Sequence, residues 1–311
     1  MVNSTANGNL PSVTAMLHQI SSASQGMAAF CSALNIVFSI TATVGNILIL
    51  IALHKVSSIH PPTKLLFRCL ALTDLCVGLI TQPLYAILLL EVSVSARPIK
   101  WRIFYYFDKV NIASSFILCG VSVLTSSAIS VDRLLALSLG LRYRHTATLS
   151  RFRILSGCLC LVGISIGFMY SFWAPGIAYI MVIVIGGLCL FISIFSYTKI
   201  FLKLRHHHAQ FQEQPNGRGI LLNITRYKRT VSSIAWVQLT LVICYAPLIV
   251  LLIIEEAIGA DYDRKRFIFL PPIITVVYLN SSLNPVLYCW KMTEVRQAAK
   301  NIVNRLCCST D

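Results

Sequence analysis

Acidic residues are scarce in this chain. It has 11 Asp and Glu against 26 Lys and Arg in 311 residues, and charged side chains make up only 12% of the total. Soluble domains carry about 25% charged residues, so water is excluded as the solvent for most of the sequence. The first 27 residues contain no Lys, Arg, Asp or Glu. That excludes the charged leading segment of a cleaved signal peptide, and the first apolar stretch is expected to act as its own insertion signal. Eleven cysteines are present, yet Cys31, Cys69, Cys76, Cys119, Cys158, Cys160, Cys189, Cys244 and Cys289 all fall inside apolar stretches, and only Cys307 and Cys308 lie beyond them. No disulfide framework is expected from that placement, and most of these residues read as small apolar packing groups. Internal repeats and helices broken at matching points of two halves are also missing, which argues against a transporter. No nucleophile–base pairing or metal-ligand spacing supports an enzyme.

What the chain does have is apolar length: 56% of its residues are hydrophobic, with a mean hydropathy of +0.74. These residues fall into seven stretches near Ala28–Leu53, Leu65–Leu90, Val110–Leu137, Ile154–Trp173, Ile177–Phe201, Val231–Ile254 and Phe267–Trp290. Each has the roughly 20 residues a bilayer-crossing helix needs. The third reads as the least apolar, and the fourth and fifth are separated only by a turn at Ala174-Pro175-Gly176. With the N-terminus outside, 19 of the 26 Lys and Arg fall in or at the edges of the four cytoplasmic segments, as the positive-inside rule requires. The expected architecture is an all-α membrane protein: an extracellular segment 1–27, a seven-helix transmembrane domain 28–290, and a cytoplasmic helix and tail 291–311. The positive charge then belongs to a cytoplasmic face set against anionic membrane lipid and an acidic partner, and no nucleic-acid partner is implied.

Outside the spans, Asn3 opens an Asn-Ser-Thr glycosylation sequon on the outer side. The sequons at Asn223 and Asn280 fall in a cytoplasmic loop and in a span, out of reach of the modifying enzyme. Cys307-Cys308 follows an amphipathic stretch carrying Val295, Ala298, Ala299, Ile302 and Val303, a pattern that fits a membrane-surface helix bearing palmitate. His206-His207-His208 are adjacent, so they splay around a helix, and no metal site is expected there.

Inside the spans, Asp74 is the one deep carboxylate. Asn280, Ser281 and Asn284 in the seventh span and Ser122 in the third supply oxygen donors for it. Such a cluster suits a hard monovalent cation with water, or a hydrated hydrogen-bond network. Five motifs in order then resemble the rhodopsin-like (class A) G-protein-coupled receptors: Gly45-Asn46, Leu70-Ala71-Leu72-Thr73-Asp74, Asp132-Arg133-Leu134, Cys244-Tyr245-Ala246-Pro247 and Asn284-Pro285-Val286-Leu287-Tyr288. The resemblance implies a plasma-membrane receptor that binds an extracellular ligand and activates a heterotrimeric G protein. It implies an allosteric sodium ion held by Asp74, Ser122, Asn280, Ser281 and Asn284. It also implies a cytoplasmic switch in which Arg133 pairs with Asp132 at rest and turns towards Tyr197 and Tyr288 on activation. Tyr245 would act as the toggle, and Pro247 and Pro285 as hinges.

The chain departs from that family at several points. Asp108 stands where a bridged cysteine usually begins the third span, Cys189 where the fifth usually has proline, and the fourth span lacks its usual tryptophan. Tyr227-Lys228-Arg229 offers no acid to lock Arg133, an expectation of some ligand-free signalling. The missing bridge, missing proline and short second outer loop resemble the melanocortin receptors, as Asp132–Leu137 and Leu141-Arg142-Tyr143 resemble that branch and its adenosine and cannabinoid neighbours. Of the three acids that bind calcium and peptide in melanocortin receptors, Asp108 remains, while Leu84 and Ile112 replace the others. Ser115 and Tyr278 stand where amine-binding aspartate and retinal-binding lysine would be. The expected ligand pocket, lined by Gln82, Tyr85, Asn111, Ser115, Cys119, Leu248 and Tyr278, is largely uncharged and suits a small neutral or lipid-like molecule. The rim acids Glu91, Asp108, Glu255 and Glu256 leave a basic peptide as the alternative. A receptor fold that is constitutively active or no longer signals is the variant reading.

Overall fold

The structure is a computed structural model that describes residues 22–57, 59–94, 101–212, 218–258, 263–291 and 293–308. Asn3 lies outside these residues, as do the side chains of His206–His208, Tyr227–Arg229, Cys307 and Cys308.

Eight helices account for almost all of the described chain. They are α1 (Ser22–Lys55), α2 (Pro61–Val94), α3 (Trp101–Leu139), α4 (Leu149–Phe172), α5 (Pro175–Gln212), α6 (Arg218–Ile258), α7 (Asp263–Lys291) and α8 (Thr293–Cys308). The first six contain described stretches long and apolar enough to cross a membrane. The polar exception is α7, not α3 as the composition had implied. Its described part carries Thr275, Asn280, Ser281, Ser282 and Asn284, and all five are buried. That polar face turns inward, while Phe30, Ile40, Val44, Phe168 and Phe191 stand exposed on the outside of the bundle, the reverse of a soluble protein. α3 also begins nine residues before the expected Val110. It runs through the middle of the bundle and touches α2, α4, α5 and α6, while α1 closes the ring against α2 and α7.

The prolines set local geometry by removing backbone donors. Ahead of Pro83, residues Val77–Thr81 widen into a π-helical turn in which the Gln82 amide bonds Val77, five residues back. In that register Pro83 has no N–H to give Gly78, and the Gly78 carbonyl instead accepts the Ser39 hydroxyl at 2.7 Å. Pro285 likewise leaves the Ser281 carbonyl without its helical donor, and Asn46 on α1 fills it at 3.1 Å. Gly45 makes that approach possible, because a Cβ there would meet the Pro285 ring at 2.8 Å. The Gly-Asn pair is therefore the α1 half of a joint with a proline on α7.

α4 carries a second close approach. A Cβ on Gly163 would meet Val121 at 2.5 Å, and one on Gly167 would meet Ile117 at 2.4 Å, so two glycines four apart let α3 lie against α4. Towards one end of this contact, Phe116, Tyr170 and Tyr179 pack mutually edge-on at 5.1, 5.5 and 5.9 Å and join α3, α4 and α5. The nine cysteines described are all free thiols. α4 and α5 are joined by Trp173 and Ala174 alone. Pro175 and Gly176, expected in the turn, open α5, where proline's missing N–H has no cost.

Past α3 the chain turns through Gly140 at φ +52, a left-handed position that favours glycine. A single helical turn, Tyr143–Thr146, follows. α8 lays Val295 and Ile302 onto the core formed by α1, α2 and α7, with Arg296, Lys300 and Asn301 outward.

Candidate functional site

Three groups of buried polar or cavity-lining residues follow one another along the bundle. In the first, the Asp74 carboxylate is fully buried. One oxygen accepts the hydroxyls of Ser122 at 3.0 Å and Ser281 at 2.8 Å, and the other accepts the Asn284 amide at 2.7 Å. Asn280 is also buried, and neither its amide oxygen nor its nitrogen has a hydrogen-bond partner among the described residues. Four of the five residues expected to gather here are directly bonded, and Asn280 is the fifth oxygen donor beside them in sequence. The donor set fits a sodium ion: one carboxylate, two hydroxyls whose lone pairs remain free after donating, and two amides.

In the second group, Asp132 is held from three sides. Arg133 pairs with it at 3.1 Å, the Thr63 hydroxyl on α2 donates to it at 2.9 Å, and the Tyr143 hydroxyl donates to its other oxygen. Thr63 and Tyr143 also meet at 3.3 Å. Burial, followed by the hydrogen bond to Asp132, pushes the Tyr143 phenol up to about 12. The expected pairing of Arg133 with Asp132 is present. Tyr197 and Tyr288 are not brought to Arg133: Tyr288 is buried edge-on against Phe67 at 5.2 Å, and Tyr197 is partly exposed beside Phe201. Thr63 and Tyr143 were missing from the sequence reading as partners of Asp132. No spacing rule links them, because Tyr143 arrives only through the turn at Gly140.

The third group lines an apolar cavity of about 100 Å³ between α3, α4, α5, α6 and α7. Ser115, Cys119, Leu248 and Tyr278, all expected to line the pocket, do so, and Tyr245 lies in the same wall. Gln82, Tyr85 and Asn111 are one layer behind. Gln82 donates to the Tyr278 carbonyl at 3.3 Å, Tyr85 packs edge-on against the Tyr278 ring at 5.4 Å, and Asn111 accepts the Ser115 hydroxyl on its backbone at 2.7 Å. The hydroxyls of Ser115 and Tyr278 bond each other at 2.6 Å, so these two lining hydroxyls satisfy one another; the Tyr245 hydroxyl in the same wall is buried with no partner among the described residues, and the rest of the accessible wall is carbon. Among the described residues the cavity lining contains no carboxylate and no basic side chain. Phe116, Val123, Ile166, Val182, Ile185 and Ile249 complete most of the wall. The sequence reading missed them because apolar residues of a span give no signal to distinguish cavity from lipid.

Polar side chains also stitch the helices between these groups. Ser127 on α3 donates to the Cys189 carbonyl on α5 at 3.2 Å and meets Ser193 at 3.2 Å. Thus the position without the usual proline is bonded from α3. Pro247 lies inside α6 and Pro285 inside α7.

The model of the 7 transmembrane receptor (rhodopsin family) matches residues 45–176 and 167–288. Among known proteins, the chain is similar to melanocortin receptor 5 of Rattus norvegicus, at 23% identity over 89% of this chain and 86% of that one. It is similar to trace amine-associated receptor 1 of Macaca mulatta, at 22% identity over 85% and 84%. Histamine H2 receptor of Cavia porcellus is 24% identical over 89% and 79%. The two matched stretches meet at the short join between α4 and α5.

Proposed function

Because the chain belongs to the rhodopsin family of seven-transmembrane receptors, we propose that it binds a small, uncharged, lipid-like ligand in the cavity beside Tyr245 and passes the signal to a heterotrimeric G protein. It is a G-protein-coupled receptor of the plasma membrane and not an enzyme. In our reading residues 1–27 face outside, 28–290 form the bundle, and 291–311 lie in the cytoplasm.

The observation that carries the ligand class is the Ser115–Tyr278 hydrogen bond. It uses both of those hydroxyls and leaves a wall of carbon apart from the neutral Tyr245 hydroxyl. A charged ligand entering such a cavity would lose its hydration and meet no counter-charge in the described lining, only the neutral Tyr245 hydroxyl. Relatives named for histamine and trace amines therefore do not lend their ligands to this chain, and no carboxylate lines its cavity among the described residues. The test is nucleotide exchange on purified G proteins, with lipids, nucleosides and basic peptides as the panel and Arg133→Ala as the control. The expected outcome is a response to neutral lipids that Arg133→Ala removes. A response confined to basic peptides would overturn the assignment and favour the acidic rim.

Asp74, Ser122, Asn280, Ser281 and Asn284 are the residues that would hold sodium, which supplies a charge to balance the buried carboxylate. Asp74→Asn is expected to abolish the sodium sensitivity of ligand affinity; an undiminished sodium response would refute the site. Asn3 is proposed as a glycosylation site and Cys307 and Cys308 as palmitoylation sites. A glycosidase-sensitive mobility shift lost in Asn3→Gln, and a hydroxylamine-labile label lost in the double Cys→Ser variant, are the expected readouts.

A further inference from the structure

The cytoplasmic half of α6 bears a polar residue that neither the cavity nor the ion site uses. Gln238 is 4% exposed, and its Nε2 donates to the backbone carbonyl of Ser126 on α3 at 3.0 Å. Ser126 stands one turn from Ser122, which bonds Asp74, and two turns from Arg133. The same carbonyl accepts the Ser130 hydroxyl at 3.1 Å. The other end of the amide, Oε1, is buried with no hydrogen-bond partner among the described residues. Two residues earlier on α6, Trp236 lies at 5.9 Å from Trp290 of α7. One α6 segment is thus bonded to the central helix and packed on its neighbour.

We propose that the Gln238–Ser126 hydrogen bond is the latch holding the cytoplasmic half of α6 against α3 in this receptor, a neutral clasp in a chain whose Tyr227-Lys228-Arg229 offers no acid for a charged one. The inference rests on the receptor reading in one respect only, that α6 has a second position to move to. A buried hydrogen bond to a backbone carbonyl holds one register and breaks all at once. Oε1 has no partner among the described residues, so the contact to α3 rests on the single Nε2 donor, one neutral hydrogen bond. Neither partner carries charge, so salt cannot screen the contact as it would an exposed ion pair. Lying between Ser122 and Arg133, the clasp also places α6 in contact with the stretch of α3 that joins the ion site to the switch.

The test uses the full chain in nanodiscs without ligand or G protein, with a trifluoromethyl-phenylalanine placed by codon suppression at the cytoplasmic end of α6 and read by ¹⁹F NMR. Gln238→Leu keeps the approximate size and removes the donor. It is expected to raise the ratio of the minor to the major resonance about fivefold, equivalent to about 1 kcal/mol for one neutral hydrogen bond. Gln238→Met is expected to do the same and serves if the leucine variant folds poorly. Ser130→Ala leaves the Gln238 contact in place and is expected to leave the ratio unchanged. The ratio in the unsubstituted chain is expected to hold steady as ionic strength rises. Resonances in Gln238→Leu and Gln238→Met identical to the unsubstituted chain would overturn the latch. So would an equal shift in Ser130→Ala, or a ratio that climbs with salt. Because no G protein is present, failure of nucleotide exchange would count against the receptor reading and leave these resonances to decide the latch.

Discussion

Tyr143 and Thr63 give Asp132 two neutral hydrogen-bond donors in addition to Arg133, so the carboxylate keeps its position whether or not the arginine stays. Removing the phenol oxygen in Tyr143→Phe is expected to lower stability by about 1.5 kcal/mol, typical for a hydrogen bond to a charged group. Thermal unfolding in detergent checks this. The cost should also depend on pH. The folded state holds the Tyr143 proton up to about 12, whereas an unfolded tyrosine releases it near about 10. The phenol's contribution is thus fully present below the unfolded value and is lost as pH climbs through the interval between the two. The stability gap between the native chain and Tyr143→Phe should be flat at neutral pH and narrow within that alkaline interval. Residue type was enough to bring Ser122, Ser281 and Asn284 to Asp74, because a carboxylate in a span needs donors; it named Asn280 at the same depth as well, which makes no direct bond to the carboxylate. It was not enough for Tyr143, whose position depends on a backbone turn. Nor could it show that Gln82 and Asn111 stand behind Tyr278, since depth along a span does not say which of two neighbours faces the cavity.

Among the elements, α4 shows most clearly how packing takes over from a missing motif. It has no tryptophan in the span proper, yet Gly163 and Gly167 accept Val121 and Ile117 of α3 at distances that leave no room for a Cβ. Gly167→Leu is expected to lower stability by about 2 kcal/mol through overpacking, read as a lower midpoint in detergent. Gly157, with open space around its Cβ position, should tolerate alanine with little change. The aromatic triangle is the second support of this region. Phe116→Ala is expected to cost about 2 kcal/mol, below the range for a fully buried aromatic because Phe116 is only partly buried. Its effect should exceed that of Phe168→Ala, whose ring is exposed on the outside of the bundle. The glycine spacing on α4 was visible in the sequence, but a pair of small residues four apart has meaning only once the facing helix is known. The helices themselves were legible because lipid demands long uninterrupted runs. α7 was legible as the apolar stretch Phe267–Trp290, and its motif fixed which span it is; its buried polar face keeps its described part out of the set apolar enough to cross a membrane.

Taken whole, the bundle has no covalent staple among its described residues: nine free thiols, and no cysteine in the sequence between α2 and α3, α4 and α5, or α6 and α7. Reducing agent is therefore expected to leave the unfolding midpoint unchanged; a fall of several degrees would show a bridge the sequence does not provide. The two-residue join between α4 and α5 has a further consequence, for how the chain is made. A connection of Trp173 and Ala174 alone has no polar loop to carry across the hydrocarbon, and neither helix can complete its crossing while the other waits in water. During synthesis the two must leave the translocon together as a single hairpin. Its entry is driven by the pooled apolar surface of both helices, so a polar substitution in α4 should impair the insertion of α5 as well.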